Sequence, residues 1–508
     1  MYSISLCAAI HGIEGCIVEV EADISNGLPG FSLVGFLSGE VKEARERVQI
    51  AIRNAGFKLP PKKITINLSP ANIKKGGTGY DLAIAISILT AFGYIPQDKV
   101  KQILCVGELG FDGEIKEVHG ILPRVFTAWE HGITCCIVPK ANVSEAKVVE
   151  NMKVYGATNL KELVERLVND DLREDADSVE GVQSDKYPDF LEIHGQTMAK
   201  RAAEIAAAGR HNLLMIGPPG SGKTMIAQRI PGIMPELDFH EIMEISKVYS
   251  VAGLLSKQKP CIRIRPFRQP HHSVTMQAMV GGGRVPKPGE ISLASGGVLF
   301  LDEFPEFKRE AIESLRQPLE EGQIQLTRLD GNYTYPAKCQ LIAAMNPCRC
   351  GFYPDRRKCQ CTDGQIRAYL SKVSQPILER IDICVETTPV SYDELTKANK
   401  NYGESSKQIR KRVMQAKLIQ KQRFERENYS YNAYIHTSKI DTYCQMTKEA
   451  LEFVENSYQE MDISVRIYHK ILKVARTIAD LDESHLIQKK HITEAFYFRM
   501  MNQKYWGR

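Results

Sequence analysis

The middle of the chain carries short, continuous apolar runs, and its two ends carry different patterns. Asn212-Leu-Leu-Met-Ile216, Gly297-Val-Leu-Phe-Leu301 and Gln340-Leu-Ile-Ala-Ala-Met345 lack alternation, as strands buried on both faces do. Met225-Ile-Ala-Gln-Arg-Ile230 follows the first of them and reads as helix. Nearer the N-terminus, Cys16-Ile-Val-Glu-Val-Glu-Ala22 and Lys63-Ile-Thr-Ile-Asn67 alternate in part, the mark of half-buried strands. Tyr80-Asp-Leu-Ala-Ile-Ala-Ile-Ser-Ile-Leu89 is a helix-like apolar stretch. After Pro389 strand signals fade and apolar residues recur at helical spacing, as in Ile471-Leu-Lys-Val-Ala-Arg-Thr-Ile-Ala479.

This pattern predicts an α/β protein in three parts: a mixed α+β domain over residues 1–168, an αβα core over 189–389 and a helical domain over 390–508. A chain of 508 residues is too long for one hydrophobic core, which agrees. The boundary falls between Asn169 and Tyr187, where seven acidic residues meet two basic ones and few large apolar side chains. Such a segment buries too little surface to fold, so 169–188 reads as a linker.

Composition excludes several classes. A charged fraction of 25% and a hydrophobic fraction of 43% are ordinary for a globular protein. No apolar run is long enough to cross a membrane, and the first ten residues lack the basic start of a secretion signal. Thirteen scattered cysteines suit a reducing cytoplasm better than a disulfide framework. Net charge is only +5, but eight basic residues face one acidic residue between Lys407 and Arg426. Such a stretch is either a solvated helix face or a contact for a phosphate backbone.

Gly217-Pro218-Pro219-Gly220-Ser221-Gly222-Lys223-Thr224 matches the full phosphate-loop pattern G-x-x-x-x-G-K-[ST], between a strand and a helix. The glycines let backbone N–H groups turn toward phosphate oxygens. Lys223 is placed to reach the β- and γ-phosphates of ATP, and the Thr224 hydroxyl to ligate Mg²⁺. The Gly297–Leu301 run leads into Asp302-Glu303, a strand ending in two carboxylates. In NTPases of this kind the first holds the Mg²⁺ shell and the second polarises the attacking water. Gln340–Met345 ends in Asn346, whose amide could hold that water from a neighbouring strand, or simply favour the turn before Pro347.

With these motifs, Gln375-Pro-Ile-Leu-Glu-Arg-Ile-Asp382 and Ser464-Val-Arg466 make the chain resemble an AAA+ ATPase. The resemblance puts Arg380 at the arginine finger, which enters the nucleotide site of the next subunit, and Arg466 at the second sensor near the γ-phosphate. Taken singly, either could be a surface salt bridge. Arg265-Pro-Phe-Arg-Gln-Pro-His-His272, Gly281-Gly-Gly-Arg-Val-Pro-Lys-Pro-Gly-Glu290 and Leu293-Ala-Ser-Gly-Gly-Val-Leu-Phe-Leu-Asp-Glu303 resemble the magnesium-chelatase-like members. Across nearly the whole chain the arrangement is similar to the YifB/ComM family, in which a Lon-protease-like domain precedes the ATPase. That resemblance implies a homohexameric ring, DNA as partner, and a helicase that drives branch migration in recombination of incoming DNA. Within the Lon-like domain, Gly79 stands where the catalytic serine would be, and Arg124 stands in place of the lysine. Glycine offers no nucleophile and arginine stays protonated, so the domain reads as inactive in proteolysis. Ser69 is nearby, but it precedes Pro70 and the family loop does not use it.

Two constellations remain. Cys348-x-Cys350 and Cys359-x-Cys361 place four thiols within fourteen residues, enough for a structural Zn²⁺ site or else four reduced thiols in a loop. The insert before the Asp302 strand carries His271-His272, for which no third metal ligand sits at suitable spacing, with Arg268, Arg284 and Lys287 as candidate contacts for DNA phosphates. The leading function is thus an ATP-driven DNA motor. The alternative is a chelatase-type motor subunit that remodels a protein partner. Gly79 and Arg124 disfavour an ATP-dependent protease, and Asp302, Glu303 and Arg380 disfavour a regulatory ATP-binding scaffold.

Overall fold

A computed structural model of the chain describes residues 1–175, 187–283, 286–328, 331–389, 403–461 and 464–506. The N-terminal part is built on a seven-stranded mixed sheet. Its strands run, in spatial order, Gly30–Val34, Lys63–Ser69, Glu14–Ser25, Tyr2–His11, Ile103–Cys105, Cys135–Pro139 and Lys153–Ala157. The alternation at Cys16–Ala22 belongs to the twelve-residue strand Glu14–Ser25, which pairs antiparallel with Tyr2–His11 on one side and Lys63–Ser69 on the other. The helix Asp81–Ala91 is buried along its whole length. Its one carboxylate therefore needs an internal partner, and Arg47 supplies a two-pronged contact to Asp81 at 2.8 and 3.0 Å.

Gly79 and Arg124, far apart in sequence, meet in this domain. A Cβ built on Gly79 would lie 2.8 Å from the Arg124 guanidinium, which is buried and donates to the Ala8 carbonyl at 2.7 Å. The guanidinium fills the space a nucleophilic side chain at position 79 would need.

The first acidic residues after Val168 stay bound to the N-terminal part. Lys99 pairs with Asp170 at 2.9 Å, and the Gly156 amide donates to Asp175 at 2.6 Å. The rest of the expected linker, 176–186, lies outside the described residues. The N-terminal hairpin also reaches the core: its turn at Gly12, with φ +68°, would place a Cβ 2.7 Å from the Thr334 carbonyl. Beside it, the His11 ring stacks on Tyr333 at 4.5 Å.

The core is a five-stranded parallel sheet. Its spatial order is Phe267–Arg268, Val298–Leu301, Gln340–Met345, Leu213–Ile216, Ile383–Glu386. Val298–Leu301, Gln340–Met345 and Leu213–Ile216 are fully buried, which is why their sequences do not alternate. Parallel strands put all their carboxyl ends on one edge, and ligands bind there in open α/β sheets.

The C-terminal segment is helical, with Ser406–Arg423, Lys448–Met461, Val465–Leu481 and Lys489–Trp506 as its long helices. It shares a hydrophobic cluster with the sheet: Ile409, Val413, Ile471 and Phe498 pack with Ile230, Ile383 and Val385. Polar contacts fasten the same junction. Asp382 accepts from Lys470 at 2.5 Å and from the Asn212 amide at 2.9 Å. Burial raises the Asp382 carboxyl, but Lys470 and His211 outweigh it and hold the group well below the ordinary carboxylate range. Lys470→Met should therefore cost about 3 kcal/mol in urea unfolding, because it strands a buried carboxylate. Since the folded value is lowered, this stabilisation stands above about pH 5 and is lost as pH falls below about 3.9 toward that value.

Candidate nucleotide site

The phosphate-loop residues lie at the carboxyl end of the central strand Leu213–Ile216. Gly217 is required by crowding, since a Cβ there would come 2.1 Å from Thr387 Oγ1. Gly220 and Gly222 have φ of +75° and +83°, conformations that favour glycine, and a Cβ on either would meet nothing within 4 Å. The helix Lys223–Ile233 begins at the end of this turn. Ser221 Oγ and Thr387 Oγ1 lie 2.7 Å apart, tying the loop to the strand on its far side.

Strand order then assembles the remaining groups. Gln340–Met345 lies between Val298–Leu301 and Leu213–Ile216, so Asn346 stands between the Asp302 end and the phosphate loop. Lys223 Nζ donates to the carbonyls of Gly217 and Pro218 at 2.8 and 2.9 Å and to Asn346 Oδ1 at 3.3 Å. Burial lowers the Lys223 ammonium to about 8, against the pull of the Asp302 carboxylate. Thr224 Oγ1 donates to Asp302 Oδ2 at 2.7 Å, so hydroxyl and carboxylate from separate elements converge on one point. That oxygen pair suits a Mg²⁺ ion, which keeps most of its own waters and needs few protein ligands. A bound Mg²⁺ would neutralise charge on the phosphates.

Glu303 sits apart from this pair. Its φ is +52°, uncommon for a residue with a side chain, and its carboxylate is exposed. The Glu303 amide donates to Asp302 Oδ1 at 3.0 Å. His272 Nδ1 lies 3.7 Å from Glu303 Oε2, and its ring packs against His271 with centroids 4.0 Å apart. The insert that carries the histidine pair thus reaches this carboxylate.

Arg380 and Arg466 touch none of these residues. Both converge on a single oxygen, Glu320 Oε1, at 2.5 and 3.1 Å. Arg380 also donates to the Arg316 and Pro376 carbonyls, and Arg466 pairs with Glu379 at 2.8 Å. Within one chain the finger and second-sensor positions therefore form their own anion-binding pair, away from Lys223.

The candidate DNA contacts fare unequally. Arg268 is bound by Glu290 through two contacts of 2.7 and 2.8 Å and is not an open cation. Lys287 is exposed, on a short hairpin pairing Gly281–Gly282 with Lys287–Pro288. Arg284 lies outside the described residues. The basic helix Ser406–Arg423 spends much of its charge internally. Arg412 pairs with Glu204 and Glu404, Arg423 with Asp480, and Lys417 lies over the Tyr431 ring. Lys407, Lys411 and Lys421 remain on its exposed side.

Cys348, Cys350, Cys359 and Cys361 gather so that all four sulfurs lie within 4.8 Å of one another. Three side chains of the site escaped sequence reading in these roles: Thr387, His272 and Glu320. Each acts through a partner distant in sequence, and none belongs to a motif whose spacing would betray it.

Three family models match the chain: magnesium chelatase subunit ChlI over residues 189–395, subunit ChlI of Mg-chelatase over 20–142, and its C-terminal part over 403–499. The competence protein ComM of Haemophilus influenzae is 41% identical over 502 residues, covering 97% of this chain and 96% of that protein. YifB of Escherichia coli is 41% identical over 495 residues, again 97% and 96%. The DNA repair protein RadA of Escherichia coli is 27% identical over 175 residues, 33% of this chain and 35% of that protein. With full-length identity and complete core motifs, the chain belongs to the YifB/ComM family of magnesium-chelatase-like AAA+ ATPases.

Proposed function

We propose that this protein is an ATP-hydrolysing ring motor that acts on DNA, a helicase driving branch migration in homologous recombination. The observation that carries the hydrolytic half is the convergence of Thr224, Asp302, Lys223 and Asn346 at the carboxyl edge of one parallel sheet. Thr224 and Asp302 hold the Mg²⁺ shell, Lys223 clamps the phosphates, and Glu303 takes up the proton of a water that Asn346 orients.

Arg380 and Arg466 complete the site from the adjacent subunit. Their shared hold on one carboxylate oxygen supports this, because two guanidiniums so arranged suit the equatorial oxygens of a transferring phosphoryl group. A closed homo-oligomer, read as a hexamer from the family, follows from such a head-to-tail interface.

DNA as the partner is supported by the exposed Lys287 hairpin and by the names of relatives concerned with competence and DNA repair. The N-terminal domain serves as a collar without protease activity, consistent with Arg124 packed against Gly79. The other reading, a chelatase-type motor on a protein partner, draws support from the family models and from the internal pairing of Arg268, Arg412 and Arg423. The DNA dependence of ATP turnover separates the two, with Lys287→Glu as the variant that touches DNA contact without touching the hydrolytic residues.

A further inference from the structure

The four cysteines lie against the phosphate loop, and their placement suggests a task. The strand Gln340–Met345 ends, Asn346-Pro347 turns, and Cys348 follows at once. The sulfur of Cys348 lies 3.3 Å from that of Cys350 and 3.7 Å from that of Cys359, and Cys350 lies 3.5 Å from Cys359. Four thiolates at about 2.3 Å from a zinc ion form a tetrahedron with edges of about 3.8 Å. The Tyr353 amide donates to Cys348 Sγ at 3.4 Å, a contact that stabilises a thiolate. The ligand set is all sulfur, which favours zinc over magnesium or calcium.

The loop closed by these sulfurs touches the nucleotide site. Gly351 has φ +86°, and a Cβ built on it would lie 2.5 Å from Pro219 Cδ, within the phosphate loop. Asn346, two residues before Cys348, accepts from Lys223. On the far side, Thr362 follows Cys361 and caps the helix Asp363–Leu370. Both Pro219 and Asn346 are therefore buttressed by chain that the cysteines would fix.

We infer that Cys348, Cys350, Cys359 and Cys361 bind one structural zinc ion that holds Pro219 and Asn346 in position, so that zinc occupancy sets nucleotide affinity. The coupling rests on the reading of Gly217–Thr224 as the ATP site; the metal site does not. Removing the ion frees a loop that must then be ordered at an entropic cost each time nucleotide binds.

The experiment measures zinc by elemental analysis and the affinity for a fluorescent, non-hydrolysable ATP analogue, on the full chain purified without added metal or chelator. Wild type should carry one zinc per chain. Cys359→Ser with Cys361→Ser should lose it and bind the analogue at least about tenfold more weakly, the scale on which misplaced binding groups act. Gly351→Ala should keep the zinc and still bind more weakly, because its Cβ presses on Pro219. Should the double variant fail to fold, chelation of wild type followed by zinc re-addition gives the same comparison. Metal-free wild type, or iron in place of zinc, overturns the metal site. Zinc-loaded wild type whose affinity is unmoved by zinc loss overturns the coupling and leaves the ATP site standing. Zinc-loaded wild type that binds no analogue overturns the ATP reading, and the coupling with it.

Discussion

Glu303→Gln should bind ATP as tightly as wild type and hydrolyse it about 10²- to 10⁴-fold more slowly, the range attributable to a positioned general base. Glutamine matches glutamate in shape, so the turn at Glu303 and its amide contact to Asp302 are kept. What is lost is the ability to accept a proton from water, equivalent to about 3–5 kcal/mol in the barrier. The left-handed backbone at Glu303 supports a functional reason for its position, because strained conformations collect at active sites. Lys223→Ala should fail differently, losing ATP binding itself, since the ammonium that bridges the loop carbonyls and Asn346 is gone. Nucleotide retention on filters and phosphate release, measured on both variants, distinguish the two failures. A Glu303→Gln protein that turns over ATP at the wild-type rate would remove that residue from the reaction.

Arg380→Ala should lose about 10³-fold in turnover, the lower end of what an arginine finger supplies, and its partner for recovery is Lys223→Ala. Each variant alone has no complete site. In a mixed ring, some interfaces pair an intact phosphate loop with an intact Arg380, so activity should return in proportion to those interfaces. In the single chain Arg380 is held by Glu320 with Arg466, and neither arginine reaches Lys223. A monomer that hydrolyses ATP at the wild-type rate, or mixtures no more active than their components, would show that Arg380 does not act across an interface.

Much of this site was legible in the sequence because its chemistry is local. The phosphate loop, the Asp302-Glu303 pair and Asn346 each follow a continuous apolar strand, and burial on both faces makes such strands visible. What the sequence could not give was pairing across distance. Arg268 read as an open cation, but Glu290 neutralises it. The stretch from Lys407 to Arg426 read as a basic face, but Arg412, Arg423 and Lys417 fold back on Glu204, Asp480 and Tyr431. Charge counting sees residue types, whereas helix packing decides which side chains meet a partner. The helical tail likewise read as a separate unit because its pattern changes at Pro389. It shares apolar packing with the sheet through Ile471 and Phe498, and patterning does not report which element a hydrophobic face will cover. Family resemblance put Gly79 and Arg124 at the places of a catalytic serine and lysine, but their contact shows only in the fold, since nothing local links two positions so far apart.

The measurement that bears most directly on the central claim is steady-state ATP turnover with no DNA and with single-stranded, duplex, forked and four-way DNA, each at low and moderate salt. A DNA motor predicts stimulation that is strongest on forked or four-way forms and insensitive to base sequence. That stimulation should weaken steeply with salt, because the counterions displaced from the phosphates gain less entropy when released into a more concentrated solution. Lys287→Glu should reduce the stimulation while leaving DNA-independent turnover intact. Turnover that is the same with every DNA form at low salt, together with no salt-sensitive binding to any of them, would contradict the DNA motor and favour a motor that works on a protein partner.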